Sequence, residues 1–66
     1  MKPVAEIWRD DPELAIDLLQ ERAALIEEGE GCSRALAENH AAEISGFRNW
    51  IEAMMKIKRR KRELEN

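Results

Sequence analysis

The fold is decided by residues 11–31, which read DPELAIDLLQERAALIEEGEG. An Asp followed by a Pro favours a helix start, because the Asp11 carboxylate can accept hydrogen bonds from first-turn amides and Pro12 suits the first helical position. The Gly-Glu-Gly sequence at residues 29–31 contains two glycines, which favour a helix end. The stretch therefore predicts a first helix over residues 12–28.

A second, longer helix is predicted over residues 34–62. Ser33 is a suitable N-cap, and apolar side chains follow it at intervals of three and four residues. Only Ser45-Gly46 interrupts this pattern, at a cost of about 1 kcal/mol relative to alanine. A glycine here is typical of a kink, a break or a close contact with a neighbouring helix. Of these we favour a continuous or gently kinked helix, preceded by a short helical turn at residues 3–9 and followed by a frayed tail at residues 63–66.

The whole chain is predicted to be one all-α domain spanning residues 1–66. Thr and Tyr are absent and Val occurs once, so signals for strands are missing. A glycine turn between the helices predicts an antiparallel helical hairpin. At 1.5 Å per residue the helices would be about 25 Å and about 43 Å long, which leaves the end of the second helix without cover. A second copy would supply that cover, so we expect a homodimer in the form of a four-helix bundle.

The apolar stripes of the two helices supply the candidate core and dimer contacts. Their members are Leu14, Leu18, Leu25, Leu36, Ile44, Phe47, Trp50, Ile51 and Met54. His40 lies on the same stripe and is expected to be a partly buried core histidine. Cys32, the only cysteine, is expected to be an ordinary unreactive thiol in a reducing cytoplasm.

Length and composition argue against several classes of function. A chain of 66 residues is too short to build an enzyme pocket of several hundred cubic ångströms easily, so we expect no catalytic residues and no cofactor. One cysteine and one histidine exclude an intrachain disulfide and a closed Cys/His zinc site, so no metal is expected. No apolar run is long enough for a transmembrane span. Oligomerisation is the remaining way to stabilise so small a scaffold.

The charges of the chain are unevenly distributed. The net charge of −3 combines −6 in residues 1–33 (three basic, nine acidic side chains) with +3 in residues 34–66 (eight basic, five acidic). The second half contains the basic run Lys56, Lys58, Arg59, Arg60, Lys61 and Arg62. These cations are candidates for binding an anionic partner, either nucleic acid, a membrane surface or an acidic protein surface.

Two other interpretations of the basic run are open. The cations also suit the negative end of a helix dipole, so the run is equally typical of a solvated helix end. Alternatively, they pair between subunits with the acidic cluster Asp10, Asp11, Glu13 and Asp17.

A helix-turn-helix motif is a further possibility for residues 33–52. In that alignment the turn falls at residues 39–42, and a second helix over 45–54 offers Arg48 and Asn49 to base edges. The same apolar spacing arises in any amphipathic helix, so the alignment is an alternative to the continuous helix.

Residues 9–30, which run from RDDPELAIDLL to EEGE, resemble the N-terminal helix of addiction-module antidote (antitoxin) proteins. The resemblance covers about a third of the chain, and the remaining residues do not match. It implies a DNA-binding repressor that also neutralises a toxin. Taken together, the sequence predicts a small, cytoplasmic, non-enzymatic regulatory protein of bacterial or phage type. It would self-associate and contact an acidic partner through its basic helix end, with sequence-specific DNA binding as the alternative.

Overall fold

The computed structural model describes residues 3–65 and contains four helices. They are α1 (Val4–Ile7), α2 (Pro12–Glu30), α3 (Arg34–Ile44) and α4 (Trp50–Glu65). No strand occurs within residues 3–65, so the all-α prediction is confirmed for this part of the chain. In the same residues, every helix is too short or too polar to cross a bilayer.

Helix α2 is bounded by the two signals that its sequence contains. The Asp11 carboxylate accepts a hydrogen bond of 3.2 Å from the backbone N–H of Leu14, which satisfies one of the first-turn donors. At the other end, Gly31 adopts φ 67°, and its N–H donates to the carbonyl of Glu27 at 3.0 Å. The helix extends to Glu30, two residues beyond the predicted end, because Gly29 is accommodated as a helical residue. Helix α3 begins after the Ser33 cap and packs against α2 as the second arm of a hairpin.

The predicted continuous helix over residues 34–62 is wrong, because α3 ends at Ile44. Gly46 adopts φ 94°, which interrupts a right-handed helix and suits glycine far better than other residues. The N–H of Phe47 donates to the carbonyl of Ala42 at 2.9 Å, and that of Gly46 donates to Glu43 at 3.1 Å. This pair of bonds forms a Schellman motif, which satisfies carbonyls that a broken helix would otherwise leave without donors.

Helix α4 starts with its own cap. The side-chain oxygen of Asn49 accepts from the N–H of Glu52 at 2.8 Å, and the Glu52 carboxylate accepts from the N–H of Arg48. Asn39 of α3 also accepts from the N–H of Trp50 at 3.0 Å, which ties the start of α4 to α3. The helix continues through residues 63–65, where a frayed tail was expected; Asn66 lies outside the described residues.

The core consists mainly of small side chains. Leu19 and Ile57 are the largest fully buried residues, and the other members are Val4, Ala15, Ala23, Ala37, Ala41, Ala42, Phe47 and Ala53. Six alanines at the helix contacts allow the helix axes to approach closely, since axial separation depends on the side chains between them. The ring of Trp8 closes one end of this core by meeting Phe47 edge to face, with centroids 5.8 Å apart.

The predicted core set divides into three groups in the single chain. Phe47 is buried, and Leu18, Trp50 and Met54 are half-buried. Exposed are Leu14, Leu25, Leu36, Ile44 and Ile51. The face of α2 that is buried lies one residue further along, at Ala15, Leu19 and Ala23.

Because the chain breaks at residues 45–49, there is no single long helix whose end would need a second copy to cover it. Because the chain turns at residues 45–49, α4 packs against α2 and α3 of the same chain. Ile57 of α4 is therefore fully buried within one chain. Self-association would therefore involve the side chains that remain exposed in the single chain.

Candidate anionic-partner interface

The six cations of the basic run divide into an inner and an outer group. Arg60 and Lys61 point toward the N-terminal part of the chain: the Nε of Arg60 donates to the carbonyl of Arg9 at 2.8 Å, and the Nζ of Lys61 lies 3.1 Å from a carboxylate oxygen of Glu13. This contact raises the pKa of Lys61, chiefly through the hydrogen bond to Glu13. These two contacts join α4 to Arg9 and to Glu13 of α2.

Three further contacts lie near the end of α4. Arg60 makes a second contact along its own helix, with Glu63 at 3.6 Å, and Lys61 has Glu65 at 4.0 Å. The Arg9 guanidinium, next to the carbonyl that receives Arg60, lies 4.7 Å from the centroid of the Trp8 ring. The hydrogen bond from Arg60 to the Arg9 carbonyl joins the N-terminal segment to α4.

The outer group consists of Lys58, Arg59 and Arg62. Within residues 3–65 none of the three forms an ion pair. A helix turns by about 100° per residue, which places all three on the side of α4 opposite the buried Ile57. Lys56 differs from them, because it pairs along the helix with Glu52 at 3.5 Å.

Two exposed apolar residues share this side of α4. Ile51 and Met55 precede Lys58 and Arg62 at spacings of four, three and four residues, which align them along one stripe. We call Ile51, Met55, Lys58, Arg59 and Arg62 the outer face of α4. It is apolar in its first two turns and basic in its last two.

An open groove of about 1120 Å³ follows α4. Its lining includes Ile16 of α2 together with Met54, Met55, Lys58 and Arg62. The groove is open along its length, whereas small-molecule sites usually bury most of their ligand.

The carboxylate of Glu52 serves the start of α4. The hydrogen bond from the Arg48 N–H lowers the pKa of Glu52, with Lys56 acting in the same direction. The charge of this glutamate therefore stabilises the cap and the Lys56 pair.

Arg48 and Asn49, which were predicted to read bases from a second helix over residues 45–54, do not lie within a helix. Residues 39–42, where the turn was expected, lie inside α3, so the predicted helix-turn-helix register is wrong. Arg48 and Asn49 precede α4, and the side-chain oxygen of Asn49 is engaged by the Glu52 N–H. Because α3 ends in a Schellman motif at Gly46, the turn lies at residues 45–49 and not at residues 39–42.

The acidic cluster proposed as a partner for the basic run is also divided. Asp11 caps α2, and Glu13 binds Lys61 of its own chain. Asp17 forms no ion pair within the described residues, and the same holds for Glu21 and Glu28. Sequence reasoning missed the last two, although both flank the stripe of Leu14, Leu18 and Leu25 that it identified.

His40 occupies a less buried position than expected. His40 is exposed, with its Nδ1 at 3.4 Å from a carboxylate oxygen of Glu30, and the thiol of Cys32 is half-buried and unpaired with another cysteine. No group of three or more metal-ligating side chains occurs in the part of the chain that the structure describes.

Comparison with known proteins gives no match to any family model, curated protein or solved structure.

Proposed function

We propose that this chain is a non-enzymatic regulatory binding protein that self-associates and contacts an acidic partner through the outer face of α4. The observation that carries the proposal is the position of Lys58, Arg59 and Arg62, three cations on one exposed helix face with no ion pair within residues 3–65.

The arrangement favours binding for two physical reasons. The cations project from a helix whose position is fixed by Ile57, Arg60 and Lys61, so less backbone entropy is lost on association than from a disordered tail. The adjacent Ile51 and Met55 add apolar area beside the charges, which gives a partner more than a purely electrostatic contact.

Sequence-specific DNA binding is the second candidate. It is favoured by the order of α3, a turn at residues 45–49 and a strongly basic α4, which is the order of a helix-turn-helix unit with its recognition helix last. For this candidate, the outer face of α4, rather than Arg48 and Asn49, would enter the major groove of the DNA. The resemblance of residues 9–30 to antidote proteins stays a prediction that agrees with this candidate.

The test compares a triple variant, Lys58→Ala, Arg59→Ala and Arg62→Ala, with a control of equal net charge. The control carries Gln20→Glu, Arg22→Gln and Ala35→Glu, all exposed positions away from α4. Binding is measured by fluorescence anisotropy with two labelled probes, a poly-glutamate peptide and a duplex of about 20 base pairs.

We expect the triple variant to lose affinity for at least one probe and the control to retain it. If the duplex is the ligand and three phosphates are neutralised, a salt slope of about −0.9 for each contact predicts a loss of about 40-fold between 50 and 200 mM salt. Discrimination between duplexes of different sequence would support the second candidate. Equal binding by the triple variant and the wild type would refute both.

A further inference from the structure

We infer that the outer face of α4 binds the exposed face of α2 in a second copy of this chain. The inference rests on the proposed function and names the acidic partner. The receiving surface, here called the outer face of α2, consists of Leu14, Leu18 and Leu25 with the flanking carboxylates Asp17, Glu21 and Glu28.

Two of the three leucines on the outer face of α2 are exposed in the single chain, and Leu18 is half-buried. Leu14 is 42% exposed and Leu25 63% exposed, although leucines at this spacing usually face a partner. The contacts that α2 makes through Glu13 with α4 and through Glu27 with Arg34 lie on another side of the helix. At about 100° per residue, those two positions are about 100° or more from all three leucines.

The outer face of α4 is exposed to a similar degree. Ile51 is 70% exposed and Met55 67% exposed. Each of these two helix faces therefore presents large apolar side chains to solvent next to charges that have no ion pair among the described residues. Exposed apolar side chains that line up in this way mark an interaction surface more often than single scattered ones do.

The charges of the two faces are opposite. Asp17, Glu21 and Glu28 flank the leucines of α2, whereas Lys58, Arg59 and Arg62 complete the stripe of α4. Three carboxylates on one helix and three cations on the other, none of them with an ion pair among residues 3–65, give surfaces of complementary potential, which steers association and selects the partner.

The two faces also share a register. On α2, positions 14, 18, 21 and 25 are separated by four, three and four residues, and positions 51, 55, 58 and 62 of α4 repeat that spacing. This is the spacing of a heptad seam. Laid parallel, α2 of one copy and α4 of another bring the apolar pairs Leu14 with Ile51 and Leu18 with Met55 together, followed by Glu21 with Lys58. Arg62 then extends its aliphatic stem along Leu25 and its guanidinium toward Glu28.

Each chain carries both faces, and we place the two contacts about a two-fold axis, the commonest symmetry of small homo-oligomers. The expected assembly is a dimer with four helices at the interface, two α2 and two α4. It covers Leu14, Leu25, Ile51 and Met55, which the single chain leaves exposed.

The test is a charge exchange. One variant carries Lys58→Glu, Arg59→Glu and Arg62→Glu, and the other carries Asp17→Lys, Glu21→Lys and Glu28→Lys. Sedimentation equilibrium at micromolar concentration and low salt gives the mass, and circular dichroism gives the helicity of each chain. The wild type is expected to be a dimer of 7.6 kDa chains, each variant alone a monomer, and their equimolar mixture a dimer again, because both contacts regain opposite charges.

A matched control reverses three other carboxylates, Glu6→Lys, Asp10→Lys and Glu43→Lys, which are exposed and lie off both faces. It should stay dimeric. If a reversed variant loses its helicity, the neutral variant Lys58→Gln, Arg59→Gln and Arg62→Gln replaces it, with a dimer at least tenfold weaker as the expected result.

Three results would overturn the inference: a wild type that stays monomeric, reversed variants that stay dimeric while folded, or a mixture that fails to associate. The proposed contact with an acidic partner is tested separately. If the wild type is monomeric while the alanine triple variant still loses binding to an acidic probe, the inference and the proposed self-association are both refuted, and the proposed contact of α4 with an acidic partner stands.

Discussion

Replacing Gly46 by alanine tests the turn that separates α3 from α4. A Cβ at this position would meet only the Cβ of Ala5, at 3.9 Å, which is an ordinary contact. The cost therefore comes from the backbone, whose φ of 94° lies in a region that costs an L-residue about 1–2 kcal/mol. Reduced entropy of the unfolded chain offsets about 0.4–1 kcal/mol of this. We expect a net loss of about 1 kcal/mol, which for a domain of this size lowers Tm by about 4–8 °C.

Gly29→Ala is the matched control. Gly29 lies within the last turn of α2 with nothing within 4 Å of an added Cβ, so alanine should stabilise the fold by about 0.5–1 kcal/mol. The two substitutions add the same methyl group and are expected to have opposite signs. Thermal and urea denaturation followed by circular dichroism measure both. A Gly46→Ala variant that gains stability and helicity as the control does would mean that residues 45–49 are helical, and the reasoning about the turn would be refuted.

Three further substitutions test the packing and polar contacts of α4. Ile57→Ala should destabilise the fold by about 2–5 kcal/mol, against about 0.5 kcal/mol or less for Met55→Ala in the monomer; equal effects in urea denaturation would contradict the assigned core. The lowered pKa of Glu52 gives a stabilisation that is complete above about pH 4.3, the unfolded value, and is lost as the pH falls through the folded pKa. Glu52→Gln should remove that part of the acid dependence of Tm, and an unchanged profile would argue against the cap. The raised pKa of Lys61 gives the opposite sign: its stabilisation is complete below about pH 10.4 and is lost as the pH rises through the folded pKa. Lys61→Met should abolish this alkaline loss, and a variant that retains it would show that another group is responsible.

The parts of the fold that depend on local signals were predictable from the sequence. Both boundaries of α2 follow from Asp11-Pro12 and the glycines after residue 28, since caps act through neighbouring backbone groups. The break after Ile44 was not predictable in this way, because the apolar spacing continues through it. It depends on Gly46 and on the burial of Phe47 against Trp8, a residue far away in the sequence.

The core and the candidate site were predictable to a smaller extent. A search for apolar periodicity favours large side chains, so it identified the leucine face of α2 as the core. In the structure the neighbouring face is buried, at Ala15 and Ala23. The basic run was identified as a candidate site. The sequence does not show which of its cations have partners. Tertiary packing alone brings Glu13 to Lys61 and the Arg9 carbonyl to Arg60.

The contacts of Arg60 with Arg9 and of Lys61 with Glu13 also affect how the chain folds during synthesis. The ribosome produces α2 and α3 first, and these can pair as a hairpin while α4 is still unmade. Until Ile57, Arg60 and Lys61 emerge, the nascent hairpin lacks the residues that cover its core and anchor the last helix. The basic face is therefore displayed in its folded orientation only after nearly all of this sequence has been translated, so truncated chains would lack it.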